Sequence, residues 1–258
     1  MRTVGVDLSA SPGHTAVAVI EWTDQHAVVS GLVIPADDRE VIATCVGATR
    51  VGIDAPFGWP DEFVDFVVAH RRGHTADGRG LDDIENRRPL VFRRTDRHLI
   101  DSGQGRPLSV SADQIAHVAF RCAGLLAELG VSDRVDGWAI EAYPAAALRR
   151  WGLRSQGYKR PANRDRLRLL VDELEAAAPW LILGEHAPRM ASDDNAFDAV
   201  ITALIARAAQ AGLTEVPDAA DMPVAAREGW IHLPRAELAA LSPRNASRAA
   251  GPPADSSP

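Results

Sequence analysis

Three times in this chain a short apolar run ends in an acid. Val4, Gly5 and Val6 lead into Asp7; Val51, Gly52 and Ile53 lead into Asp54; Trp138, Ala139 and Ile140 lead into Glu141. Brief β-branched runs bounded by turn residues read as buried strands, so each acid sits at the carboxyl end of a strand. Ligands of open α/β sheets gather outside those ends. Three acids placed there address one site if their strands share a sheet.

The neighbouring segments supply that sheet. Residues 3–8, 15–22 and 26–34 are apolar and β-branched, with turn-like residues 9–13 and 23–25 between them. Connections this short imply an antiparallel meander. Asp37 and Asp38 can cap a helix running to about Ala48, and residues 50–54 form a strand ended by Pro56. Strand, helix and further strand make a βαβ unit, so the sheet is mixed. A helix is expected from Pro60 until Gly73, with Phe63, Phe66, Val67 and His70 at helical spacing.

Residues 74–110 lose periodicity and are rich in Gly, Arg and Asp, which reads as a loop-rich insertion. Ser111 with Gln114 forms a capping box for an amphipathic helix closed by Gly130. Residues 138–142 form a strand and 144–151 a short helix, while residues 163–177 form a helix with Leu167, Leu170, Val171 and Leu174 on one face. The most apolar helix is expected over 194–211, capped by Ser192 or Asp193 and ended by Gly212. Residues 227–233 read as a last short strand. The expected organisation is one domain over 1–235 followed by a disordered tail over 236–258, rich in Pro, Ala and Ser from about Ser242.

At 258 residues and 46% hydrophobic content, the chain buries a core without staples. Its two cysteines, Cys45 and Cys122, lie in apolar helical stretches and read as buried reduced thiols, which fits a reducing cytoplasm. The N-terminus reaches acidic and turn residues too soon for a signal peptide or a membrane span. The formal net charge of -7 repels polyanions, so contact with nucleic acid requires a local site or a bound cation. No internal repeat, heptad pattern or glycine-rich phosphate loop is present.

A fourth acid lies on the apolar helix, where Asp194 and Asp198 share a face. An unpaired carboxylate buried in such a helix is costly unless a cation or hydrogen bonds compensate it. Mg²⁺ or Mn²⁺ favours oxygen ligands and would do so. Asp7, Asp54, Asp198 and Asp194 are the candidate ligands, with Glu141 as ligand or general base. Such a set suits two metals roughly 3.5–4 Å apart, which clamp the attacking and leaving oxygens of a phosphodiester undergoing hydrolysis. Taken singly, an Asp after a strand is more often a turn former or a helix cap.

With these motifs assembled, the sequence resembles the DUF429 family, described as predicted nucleases of the ribonuclease H-like superfamily. The resemblance rests on GVDLSA at 5–10, VGIDAPFGWP at 51–60, RRTDR at 93–97, EAYPAAAL at 141–148, YK at 158–159, DAVITALIA at 198–206 and EGWIHLP at 228–234. It implies a mixed five-stranded sheet, three antiparallel strands then two parallel, flanked by helices. It also implies catalytic acids at Asp7, Asp54 and Asp198, on the first strand, the fourth and the last helix, with Glu141 after the fifth. The superfamily includes sugar kinases, and residues 5–19 resemble their first phosphate loop without its glycine after the Asp.

Other residues carry two readings each. Arg93, Arg94 and Arg97 around Asp96 suit a phosphate, or form Arg–Asp pairs on a solvated loop. Lys159 beside Tyr158 neutralises a phosphate or is a plain surface lysine. Phe57 and Trp59, in a segment stiffened by Pro56 and Pro60, form an apolar wall suited to base stacking or to the core. His70 and His74 lack a zinc motif, and Ser9 and Ser11 lack a nucleophile elbow. A metal-dependent nuclease is therefore the first expectation. A phosphotransferase-like protein that binds ATP or phosphate, or a binding module with structural acids, are its rivals.

Overall fold

The computed structural model describes residues 1–74 and 80–243. β1 (Arg2–Asp7), β2 (Ala16–Trp22) and β3 (Ala27–Val33) form the expected antiparallel meander. Asp37 caps α1 (Asp38–Cys45) in a reciprocal box with Glu40, and the chain returns as β4 (Arg50–Asp54), parallel to β1.

α2 (Asp61–Arg71) follows, ended by a left-handed Gly73. Next come α3 (Ile84–Val91), α4 (Arg94–Asp101) and α5 (Ala116–Glu128). β5 (Ala139–Glu141) joins β4 in parallel, and α6 (Pro144–Arg150) and α7 (Arg164–Ala177) lead to a short sixth strand, β6 (Leu181–Ile182). α8 (Ala187–Met190), α9 (Asp194–Gln210) and α10 (Met222–Glu228) follow. The sheet order is β5-β4-β1-β2-β3-β6.

Two departures from expectation concern the sheet. Among the described residues the sheet has six strands rather than five: β6 pairs with β3 through only two residues, Leu181 and Ile182, too few to leave a periodic signal. The stretch 227–233 is not a strand, because α10 occupies its start and only Ile231 bridges to Glu141.

Two more concern the region before β5. The insertion carries α3 and α4, short charge-rich helices that periodicity alone does not reveal. Ser111 does not open α5. Its hydroxyl donates to Leu90 O and that of Ser109 to Val91 O, so both seal the carboxyl end of α3. The start of the expected tail is also packed, since Leu238 and Leu241 are buried; residues 244–258 lie outside the described part.

Strand alternation gives the sheet two apolar faces. Val4, Val6, Val51 and Ile53 pack beneath α1 and α5, with Val41, Cys45, Cys122 and Leu125. Ala16, Ala18 and Ile20 face α6, α7 and α9. Both cysteines are free and buried, as expected, and burial pushes the Cys45 thiol up to about 12. Among the described residues no helix is long and apolar enough to cross a membrane.

The tightest packing lies where α9 crosses β1 and β4. A Cβ at Gly5 would run into the backbone of Ala199 and Ala203, and one at Gly52 would stand 2.6 Å from Thr202 O. These glycines pair across the strands, Gly5 with Gly52, so the helix backbone rests on a bare patch of sheet. Gly5→Ala or Gly52→Ala is expected to cost about 3 kcal/mol or more. Gly13→Ala, whose new methyl would have no neighbour nearer than 4.0 Å, should cost less than about 0.5 kcal/mol. Urea unfolding of the three variants tests this, and equal losses would refute it.

Candidate functional site

Two residues beyond the glycine pair, β1 and β4 end together. Asp7 and Asp54 are register partners, and alternation puts them on the same face as Gly5 and Gly52. That face meets α9, where Asp198 immediately precedes Ala199. One carboxylate oxygen from each of Asp7, Asp54 and Asp198 lies within 4.8 Å of the others. Asp198 is buried and the other two are partly so.

Three carboxylates this close resist ionising together. Burial, then the charges of Asp198 and Asp54, raise Asp7 well above the ordinary carboxylate range. Burial pushes Asp54 up to about 7, with Lys159 pulling the other way. Asp198 is also raised by burial, although Lys159 and Tyr158 oppose the shift. The Tyr158 hydroxyl donates to Asp198 Oδ1 at 2.8 Å, and Lys159 Nζ lies 2.6 Å from Oδ2. Lys159 is thus no plain surface residue, because its ammonium is the trio's immediate counter-charge.

The other expected site residues separate from the trio. Asp194, one turn earlier on α9, adds repulsion to Asp7 and Asp198 but lies outside the cluster. Glu141 pairs in register with Ile53 rather than Asp54, and a shift of one residue turns a side chain to the opposite face of the sheet. Its carboxylate accepts from Arg93 at 2.7 and 2.8 Å and from the Phe57 amide at 3.0 Å. Glu141 therefore pins the segment after Asp54 instead of joining the acids.

Arg93 is equally engaged. It is buried, donates also to Asp96 at 2.9 and 3.1 Å, and reaches Glu228 O at 3.2 Å. Two carboxylates and a carbonyl leave this guanidinium no free edge for a phosphate. Arg94 pairs with Asp221 at 2.6 Å, and Arg97 stands 3.7 Å from Glu62. Phe57 is core, while Trp59 stacks on Phe120 with ring centres 5.6 Å apart.

Sequence reasoning missed two participants. Glu228, at the end of α10, accepts from the amides of Asp61 at 2.7 Å and Arg94 at 2.5 Å, holding the first turns of α2 and α4 together. Tyr143 joins Lys159, Asp54 and Glu141 around a cavity of about 460 Å³ beyond the strand ends. A tyrosine two residues past a strand carries no distinguishing sequence signal, and Glu228 showed only as part of EGWIHLP.

The first strand's acid, the fourth strand's acid, the tyrosine–lysine pair and the apolar helix meet at one point, and a family model matches residues 5–222, most of the chain. The protein belongs to the DUF429 family. That family is described as a protein of unknown function. No curated protein and no solved structure matches the chain. Asp7, Asp54, Arg93, Glu141, Tyr143, Tyr158, Lys159 and Asp198 all fall inside the span matched by DUF429, and Glu228 lies beyond it.

The acids make a stability prediction. A carboxyl whose folded pKa exceeds its unfolded value costs stability as pH rises past the unfolded value, and the cost is full above the folded one. For Asp54 that window runs from 3.8 to about 7. In chelator-treated protein, Asp54→Asn should stabilise by roughly 1–4 kcal/mol at pH 8, with the gain shrinking towards pH 4. Denaturant melts across that range test it; a gain that does not vary with pH would show that Asp54 is not strained by its charge.

Proposed function

We propose that this DUF429 protein is a divalent-metal-dependent phosphodiesterase of the ribonuclease H-like kind, acting on nucleic acid. The observation that carries the reading is the trio of Asp7, Asp54 and Asp198, whose oxygens converge within 4.8 Å. The fold reading is supported by the sheet: β3, β2 and β1 are antiparallel, and β4 and β5 continue in parallel beyond β1. β6 extends the far edge, away from the acids.

The residues fit a hard divalent cation. All three donors are carboxylate oxygens, which suit Mg²⁺ or Mn²⁺ and not a soft metal. Burial first, and repulsion from neighbouring aspartates behind it, raises all three acids despite the opposing charge of Lys159, and a bound cation would relieve both effects. Asp7, Asp54 and Asp198 would hold the metal, which when bound activates water and stabilises charge on the phosphoryl oxygens.

The chain's own groups then have distinct tasks. The Tyr158 hydrogen bond fixes the rotation of Asp198. Asp54 is held by the stiff segment after it, which Glu141 and Arg93 pin through the Phe57 amide. Lys159 is half exposed, and would be placed to neutralise a substrate phosphate if a bound cation took over its charge on Asp198. In the hydrolysis, the water oxygen forms a new bond to phosphorus, the ester P–O bond breaks, and the proton lost by water ends on the departing oxygen.

Calorimetric titration with Mn²⁺ and Mg²⁺, with cleavage of single-stranded oligonucleotides followed in parallel, tests the reading. The wild type should bind the metal and cleave, while Asp7→Asn and Asp198→Asn should each lose binding and at least about 100-fold in rate. Lys159→Met should bind Mn²⁺ more tightly, because a competing cation is gone, yet turn over more slowly. Wild-type protein that binds neither ion, with or without oligonucleotide present, would overturn the proposal.

A further inference from the structure

The cavity beside the acids has a composition that three aspartates do not explain. Its 460 Å³ is lined by Asp54 and Lys159, by the mutually paired Arg93 and Glu141, and by an apolar set that includes Pro107, Leu108, Ala142, Ala145 and Ile231. Leu108, 58% exposed, presents its apolar side chain to this cavity. The cavity also meets Tyr143, Ser155 and Gln156. Among the described residues, no hydrogen bond occupies the side chains of these three.

We infer that this cavity seats the base of one unpaired nucleotide of a single strand, with its phosphate directed to Lys159 and the three aspartates. The inference rests on the phosphodiesterase reading of that same site and names its substrate. The volume falls in the range of about 300–1,000 Å³ typical of small-molecule sites, which takes one nucleotide and no duplex. Apolar walls suit the two faces of a base, while a hydroxyl and an amide without protein partners suit its edge.

Charge gives the same answer. A net charge of -7 repels a long polyanion, so binding energy must come from a compact local contact. The cationic groups considered above as a phosphate track do not provide one: Arg93 is locked on Asp96 and Glu141, and Arg94 on Asp221. Of the two cations lining the cavity among the described residues, Arg93 and Lys159, it is Lys159 that pairs with the aspartate trio. One phosphate and one base are what this arrangement can recognise.

The test is calorimetry on the full chain with Mn²⁺ alone, then with adenosine 5′-monophosphate or ribose 5-phosphate in the presence of Mn²⁺. The nucleotide should bind at least about tenfold more tightly than the sugar phosphate, the increment expected of one stacked base. Gln156→Ala and Leu108→Ser, both at exposed positions, should weaken the nucleotide severalfold and leave Mn²⁺ affinity unchanged; Ala145→Trp should block the nucleotide outright. A short oligoadenylate should compete with the nucleotide, and the same strand annealed to its complement should not.

Equal binding of nucleotide and sugar phosphate, or competition by the duplex, would overturn the base pocket while leaving an intact Mn²⁺ site standing. Base-dependent nucleotide binding by a protein that takes up no Mn²⁺ would do the reverse, supporting the pocket and removing the metal-dependent reading.

Discussion

The close seating of α9 on β1 and β4 is the constraint on which the rest of this structure depends. Glycine in a strand interior costs about 0.5–1 kcal/mol relative to alanine and offers nothing to pack. Two of them, paired side by side as Gly5 and Gly52, make sense because any Cβ there would collide with the helix backbone. The bare patch lets Ala199, Thr202 and Ala203 descend onto the sheet. Asp198 then arrives beside Asp7 and Asp54 as a consequence of backbone geometry. Fold and acidic site are set by the same four residues of strand and one turn of helix.

Gathering three carboxylates has an electrostatic cost that the surroundings only partly offset. Tyr158 and Lys159 both touch Asp198, whereas Asp7 and Asp54 feel Lys159 only through its field, which burial and repulsion from neighbouring carboxylates outweigh. Nearby, the protein handles buried charge differently. Arg93 holds Asp96 and Glu141 in a closed set of short hydrogen bonds, all three groups buried. Removing one partner of such a set leaves an uncompensated charge, which explains why this arginine is not available as a ligand. The contrast between a compensated cluster and a strained one is what makes the strained one the candidate functional site.

Much of this was legible in the sequence because it obeys short-range rules. The meander, the βαβ unit, α7 and α9 follow from alternation, helical spacing and turn residues, and the acids Asp7 and Asp54 from their repeated place after a strand. What escaped depends on distant partners. α4 is held at its start by Glu228, more than a hundred residues on, and no local signal announces that. Ser111 has the side chain of a helix starter but closes the helix before it. Glu141 misled for a subtler reason: the ending of its strand matches those of β1 and β4, yet the β4–β5 register sets it opposite Ile53, one residue short of the aspartate. Sequence displays the ending of a strand but not its register with a neighbour.

On the metal-dependent reading proposed above, the charge of the site would also set an order of binding. Three aspartates stand against one lysine already paired to Asp198, a field that would repel a phosphate. A divalent cation held by Asp7, Asp54 and Asp198 would offset that field and take over the charge of Lys159 on Asp198. Lys159 also lines the cavity with Tyr143, so its ammonium would then be available to a substrate anion there. On this reading Lys159 is a structural counter-charge without the cation and a substrate group with it. A protein that is acidic overall would in this way receive an anion at a site that a cation has first prepared.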